Sequence, residues 1–257
     1  MTSISRTFAR IGPAAHAAFS GLALHRSFRY NNLNAAASTA LALAQQRRHE
    51  TGVRIRPVAV QIFDPWIPKT KGPSLLSVEG RQDAWEKAKK FITATVSYVV
   101  IMRNSVEKWK PKPFAADAEK IYIAMNEAFA GGEKDVLPYL VTDAMLVKLN
   151  PDIKATQRLG RGVWKYHGSV ERPVIVHAAV AQLQESQRGD AIRVAQVTVK
   201  IHTKQSFAIY SKGPEAKLLG GNPAAVSDVL EYVVFEKRLA ADDPYDWRIA
   251  GKIPPRN

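Results

Sequence analysis

Two hydrophobic rhythms divide this chain. Between Ser77 and Asn150 apolar residues recur at three- and four-residue spacing, the period of helices with one apolar face. From Gly160 onward they alternate singly or run continuously, in segments rich in Val, Ile and aromatics, the period and composition of strands.

The helical part predicts three elements. Ser77 is placed to cap a long helix starting near Val78, with Glu79 favourably set in its first turn. Trp85, Ala88, Ile92, Val96, Val99, Met102, Val106 and Trp109 form its apolar stripe, and Pro111 and Pro113 end it. Such a stripe ordinarily packs on a sheet. A cluster of Lys87, Lys89 and Lys90 beside Trp85 also suits a helix lying on anionic lipid, so these four are the candidate membrane-facing residues. A second helix is expected over Ala115–Ala130, with Ala118, Ile121, Tyr122, Met125, Ala128 and Phe129 on one face and Gly131-Gly132 as its stop. A third runs over Asp135–Leu149, interrupted at Pro138, recapped by Thr142 and closed by Asn150-Pro151.

The strand part predicts Gly162–Val170, Val174–Gln184, Ile192–Tyr210 and Val226–Leu239. In the third, Val197, Val199 and Ile201 alternate with Thr198, Lys200 and His202, giving one buried and one wet face. A turn at Ala240–Pro244 leads to a short last strand carrying Trp247 and Ile249. Helices followed by long antiparallel strands read as an α+β domain, with helices packed on a mostly antiparallel sheet of four to five strands. The aromatics Tyr232, Phe235 and Trp247 are expected in its core.

Residues 50–77 read as an extended arm, because Pro57, Pro65, Pro68 and Pro73 deny it a helix. Two uses of the arm stay open. Phe63 and Trp66, with Arg54, Arg56, Lys69 and Lys71, suit insertion into an RNA cleft; the same aromatics also suit covering the domain's own apolar surface. Residues 1–49 contain no acid, and their positive charges are all arginine: Arg6, Arg10, Arg26, Arg29, Arg47 and Arg48. An Arg-rich, Ser-rich, acid-free leader with scattered large apolar residues is the composition of a mitochondrial transit peptide. Cleavage near Arg29-Tyr30 or near Arg47-Arg48 fits equally. The expected organisation is therefore a leader at 1–49, an arm at 50–77, one domain at 78–253 and a short tail at 254–257.

Charge narrows the function. The chain carries 37 Lys and Arg against 23 Asp and Glu, a net charge of +14. That excess favours a polyanionic partner, nucleic acid or an anionic membrane surface. Candidate rRNA-binding cations are Arg54, Arg56, Lys69 and Lys71 on the arm, and Lys154, Arg158, Arg161, Lys165, Arg193, Lys200 and Lys204 on the domain. With no cysteine, thiolate metal sites, Fe–S clusters and a thiol nucleophile are excluded. There is no phosphate-binding loop, no HExxH pair and no G-x-S-x-G elbow, so neither catalysis nor a cofactor nor a metal has sequence support. No apolar run is long enough to span a membrane.

The last part of the chain carries a family resemblance. Val229-Leu-Glu-Tyr-Val-Val-Phe-Glu-Lys237, followed by Pro244-Tyr-Asp-Trp-Arg-Ile-Ala-Gly-Lys-Ile253, resembles the C-terminal signature of the mitochondrial large-subunit ribosomal protein forty-five and its fungal relative, the inner-membrane ribosome receptor. Both share the C-terminal domain of the import motor's membrane anchor, and the similarity extends over about residues 78–253. The resemblance implies a cone-shaped fold like that of nuclear transport factors, with helices on a curved sheet. It also implies a place on the mitochondrial large subunit near the tunnel exit, on the matrix side of the inner membrane. Implied partners are the large-subunit rRNA, neighbouring ribosomal proteins, and an insertase or anionic lipid. Two other readings remain: an import-motor-type anchor, and an enzyme using the mouth of the cone, for which His177 or Glu231 beside a second polar group would be the sign.

Overall fold

The computed structural model describes residues 62–68, 77–105, 109–185, 191–240 and 246–255. Four helices precede six strands: α1 (Val78–Asn104), α2 (Pro111–Gly131), α3 (Leu137–Leu140), α4 (Asp143–Leu159), β1 (Arg161–Ser169), β2 (Val174–Glu185), β3 (Ala191–Tyr210), β4 (Leu218–Gly221), β5 (Ser227–Arg238) and β6 (Arg248–Ile253). This is the α+β class expected. The sheet has six strands rather than four or five, is antiparallel, and is not closed.

Local signals explain most boundaries. The Ser77 hydroxyl accepts from the Gly80 amide at the start of α1, and Gly132, at φ 72°, takes the left-handed conformation that ends α2. Thr142 caps α4. Three expectations are corrected. Helix α1 stops at Asn104, short of Val106 and Trp109, and Trp109 belongs to the core instead. Pro111 and Pro113 do not merely end α1; they open α2, whose first turn needs no amide donors. Pro151 does not close the third helical stretch, because α4 continues through it to Leu159. The amide that Pro151 lacks would have met the carbonyl of Val147, which lies on the exposed side, where water can take its place. Strand β4 falls between the expected strands Ile192–Tyr210 and Val226–Leu239, where none was expected; its Leu218, Gly220 and Gly221 pair with the end of β3.

Twenty residues long, β3 organises the sheet. One of its edges carries β2 and then β1 in succession; the other carries β5 and then β4, with β6 outside β5. Ala195, Val197, Val199 and Ile201 of β3 join Phe235, Ile249, Trp164 and Tyr122 in the core under the helices. Phe114 sits at the centre of an aromatic group, 4.6 Å from Trp247 and 5.5 Å from Trp109 between ring centroids. Tyr232, Phe235 and Trp247 are all buried, as expected.

The opposite face of the sheet is not left wet. Gln196, Thr198 and His177 are buried there, and residues 62–68 lie across them as a strap. The Phe63 amide donates to Gln196 Oε1 at 3.2 Å, Ile67 is buried, and Ile62 closes on Gly251 of β6, where a Cβ would come within 2.9 Å of its Cδ1. For this part of the arm, covering its own domain is what the structure shows.

Candidate docking and RNA-binding surfaces

Helix α1 determines the first surface, and it lies the opposite way round from the sequence expectation. Its inward face is Gly80, Asp83, Ala94, Ser97 and Ile101. The stripe expected to pack on the sheet is outside from Trp85 to Met102: Trp85 is 64% exposed and Ile92 61%, followed by Val96, Val99 and Met102, and Phe91, not part of the expected stripe, is exposed beside them. The small Ala94 and Ser97 let the helix approach β2 closely. Charged residues of the inward face are satisfied rather than solvated. Asp83 takes the Lys87 ammonium at 2.7 Å, and Lys90 reaches Asp64 of the strap at 2.5 Å.

Of the four candidate membrane-facing residues, then, Trp85 and Lys89 project outward, with the Lys89 ammonium 5.3 Å from the Trp85 ring centre. Lys87 pairs instead with Asp83 one turn back on the helix, and Lys90 turns toward Asp64 of the strap. The outward side runs from Trp85 to Met102, about 25 Å at the helical rise. At its margins stand Arg81, Lys89 and Arg103, while Glu79 and Glu86 lie to one flank. A contiguous exposed apolar stripe edged with cations marks an interaction surface. No helix among the described residues is long and apolar enough to cross a membrane.

A second surface is cationic. Lys154 and Arg158 are exposed one turn apart on α4, and Arg161 is exposed at the start of β1 directly after the helix. Trp164 of β1 points into the core against Tyr122, so Arg161 and Lys165 project from the other side of the sheet. There Lys165 pairs in register with Ser206 and Lys204 with Gly168, placing exposed Lys204 next to Lys165, whereas Arg161, opposite Tyr210, lies about 20 Å along β3 from Lys204. The remaining two candidates do not join this group. Lys200 is taken up by Glu171 at 2.6 Å, and Arg193 donates to Asn104 Oδ1 at 3.1 Å at the end of α1. Arg54, Arg56, Lys69 and Lys71 lie outside the described residues, as does the leader.

Polar residues named for the enzyme reading have internal partners. Glu231 accepts from the Tyr122 hydroxyl at 2.7 Å and from Lys252 at 2.8 Å, and Gln205 donates to the same Tyr122 oxygen at 2.8 Å. Burial, then the neighbouring Glu231 carboxylate, push the Tyr122 hydroxyl well above its ordinary range, so it stays a proton donor. His177 is 2% exposed and bonds Asp64 at 2.8 Å. Among the described residues no group of acids and histidines is arranged to hold a metal ion.

Asp64 was missed by sequence reasoning. It bridges Lys90 of α1 and His177 of β2 with its two oxygens. Its signal was present: Asp64 is the only acid between residues 51 and 78, in an arm otherwise basic and set between two aromatics.

Residues 98–254, from the second half of α1 to just past β6, match the Tim44-like domain. The chain belongs to the Tim44-like family. Within it, the chain is similar to large ribosomal subunit protein mL45 of Bos taurus, 34% identical over 197 residues, covering 76% of this chain and 60% of that protein. It is 30% identical to the mL45 of Drosophila melanogaster over 76% of the chain and 51% of the relative, and 29% identical to that of Xenopus tropicalis over 80% and 64%. The chain thus spans about half to two thirds of the length of these relatives. The Tim44-like match includes the cationic surface of α4, β1 and β3. The strap and the first half of α1 precede it.

Proposed function

We propose that this chain is a structural, non-catalytic component of the mitochondrial ribosome's large subunit near the tunnel exit. It binds rRNA through Lys154, Arg158, Arg161, Lys165 and Lys204, and helps dock the ribosome on the matrix side of the inner membrane through α1. The mL45 relatives support the ribosomal part. The outward stripe of α1 carries the docking part: a helix that buries Ser97 and Asp83 while exposing Trp85, Phe91 and Ile92 keeps that face for a partner. Lys89, Arg81 and Arg103 beside the stripe favour anionic lipid.

The two surfaces rest on different elements: α1 packs on β2, whereas α4 packs on β1 and β6.

The test has two arms. Purified protein should co-sediment with vesicles rich in anionic phospholipid and not with neutral ones, with a blue shift of tryptophan emission. Trp85→Ala with Ile92→Ser should abolish binding while changing stability by less than about 0.5 kcal/mol, as for other exposed sites. Binding to a large-subunit rRNA fragment should weaken with salt, and each of Arg158→Ala and Arg161→Ala should lower the log–log salt slope by about 1. Equal binding to neutral vesicles, or a salt slope untouched by the arginine variants, would remove the corresponding half of the proposal.

A further inference from the structure

On the α1 docking reading, the docking face must be held in place. Helix α1 is anchored unevenly. Its second half buries Ala94, Ser97 and Ile101, packs Tyr98 on the core, and is tied to β3 where Arg193 meets Asn104. Its first half, Val78 to Phe91, buries only Gly80 and Asp83, and its large apolar side chains, Trp85 and Phe91, face outward. Apolar burial, the usual adhesive between a helix and its sheet, is nearly missing there.

What holds that half is a charged clasp. The Asp64 carboxylate receives the Lys90 ammonium on one oxygen at 2.5 Å and His177 Nε2 on the other at 2.8 Å. The clasp is preorganised from the strap side. Ile67 is buried, the Trp66 ring lies 5.7 Å from that of His177, and the Phe63 amide is bonded to Gln196, which in turn donates to Glu236 of β5 at 2.8 Å. His177 itself is buried, with Nδ1 lacking a partner among the described residues, so Asp64 supplies its one polar contact. Asp64 thus joins three segments far apart in sequence: strap, α1 and β2.

We propose that Asp64 is the positioning residue of the docking face. By latching Lys90 to the sheet it fixes the rotation and direction of the first half of α1, and so the direction in which Trp85, Lys89 and Ile92 project. With the latch closed, the stripe is one continuous surface from Trp85 to Met102. With it open, the half from Val78 to Phe91 swings free, and only Val96, Val99 and Met102 remain in a fixed place.

Hydrogen exchange of the full chain tests this directly. In Asp64→Ala, amides of residues 80–91 should exchange at least tenfold faster than in the parent, while β3 and β5 keep their protection. Lys90→Met removes the clasp from the helix side, at a half-buried position no strand depends on, and should give the same pattern even if the strap variant folds poorly. Affinity for anionic vesicles should fall several-fold in both. Unchanged protection of 80–91, or a rise shared by β3 and β5, would overturn the latch whatever the vesicles show. If the parent binds no vesicles yet the two variants free residues 80–91, the latch stands and the lipid-docking reading falls.

Discussion

The strap makes the most decisive single prediction, because it was the one segment with two equal readings. If residues 62–68 are part of the folded domain, Ile67→Ala must cost as much as a core truncation. Ile67 is 1% exposed, so the substitution removes every carbon beyond Cβ from a filled site. At about 0.8 kcal/mol per buried methylene, transfer accounts for roughly 2.4 kcal/mol. The hole left under the strap adds to this, and buried Ile→Ala changes fall within about 2–5 kcal/mol; about 3 kcal/mol is expected here. For a domain of this size each kcal/mol moves the melting midpoint by about 2–4 °C, so the shift should be roughly 6–12 °C downward. Urea unfolding followed by tryptophan emission and by far-UV circular dichroism gives the same quantity independently. Coincident curves displaced to lower urea, with the slope unchanged, would place the strap in the cooperative unit. A midpoint within 2 °C of the parent, or a small early tryptophan transition separated from the main one, would refute the reasoning: Ile67 would then contribute nothing to global stability.

Two further predictions follow from the same geometry. Burial holds the His177 pKa below its ordinary 6.5 against the opposing pull of Asp64, so the unfolded chain binds that proton first and stability falls as pH drops from about 7 through 6.5 and below. Asp64 behaves differently: burial raises its pKa, but the bonds from Lys90 and His177 outweigh this and leave it below 3.8, so its own contribution is lost only in more acid solution. His177→Gln should flatten the slope of unfolding free energy between pH 7 and 5.5, and an unaltered slope would assign it to other groups. Gly160→Ala tests the junction of α4 and β1. A Cβ there would lie 2.2 Å from the Tyr210 carbonyl oxygen, in an extended backbone any residue adopts, so overlap alone should cost about 1–3 kcal/mol in chemical denaturation; a neutral variant would show that this contact yields.

Helix caps, strand alternation and the burial of Tyr232, Phe235 and Trp247 were legible because each depends on local spacing or on one residue type. Ser77, Gly132 and Thr142 act within one turn, and Val197–Ile201 shows its period unaided. The rotation of α1 was not legible, because the helix carries two plausible inward faces. One is large and apolar, through Trp85, Ile92 and Val96; the other is small and polar, through Gly80, Asp83, Ala94 and Ser97. Periodicity favours the first. The counter-charge that Asp64 supplies to Lys90 from outside the helix favours the second, and a sequence window around α1 does not contain it. The same limit applies to the cations: Lys200 and Arg193 read as free charges on a strand, yet Glu171 and Asn104 reach them from other elements. Lys154, Arg158 and Arg161 kept their expected exposure because an exposed helix end and its following residue meet few neighbours.

The fold thus holds its two surfaces with unequal firmness, and the inequality suits the proposed role. Lys154, Arg158 and Arg161 of the cationic surface flank a closely packed junction: α4 runs into β1 through Gly160, pressed against the Tyr210 carbonyl, and Gly162 lies under the Ala130 carbonyl with no room for a side chain. A folded RNA presents phosphates at set spacings, so contacts to it gain from such rigidity. The first half of α1 has no comparable packing and depends on a clasp whose Asp64 and Lys90 side chains are each about a quarter exposed. A lipid surface has no fixed pattern to match, so the clasp has only to keep the apolar stripe facing outward. On the proposed reading, the apolar stripe on the latched element would meet the lipid surface, and the candidate phosphate-binding cations beside the jammed junction would meet the rigid RNA.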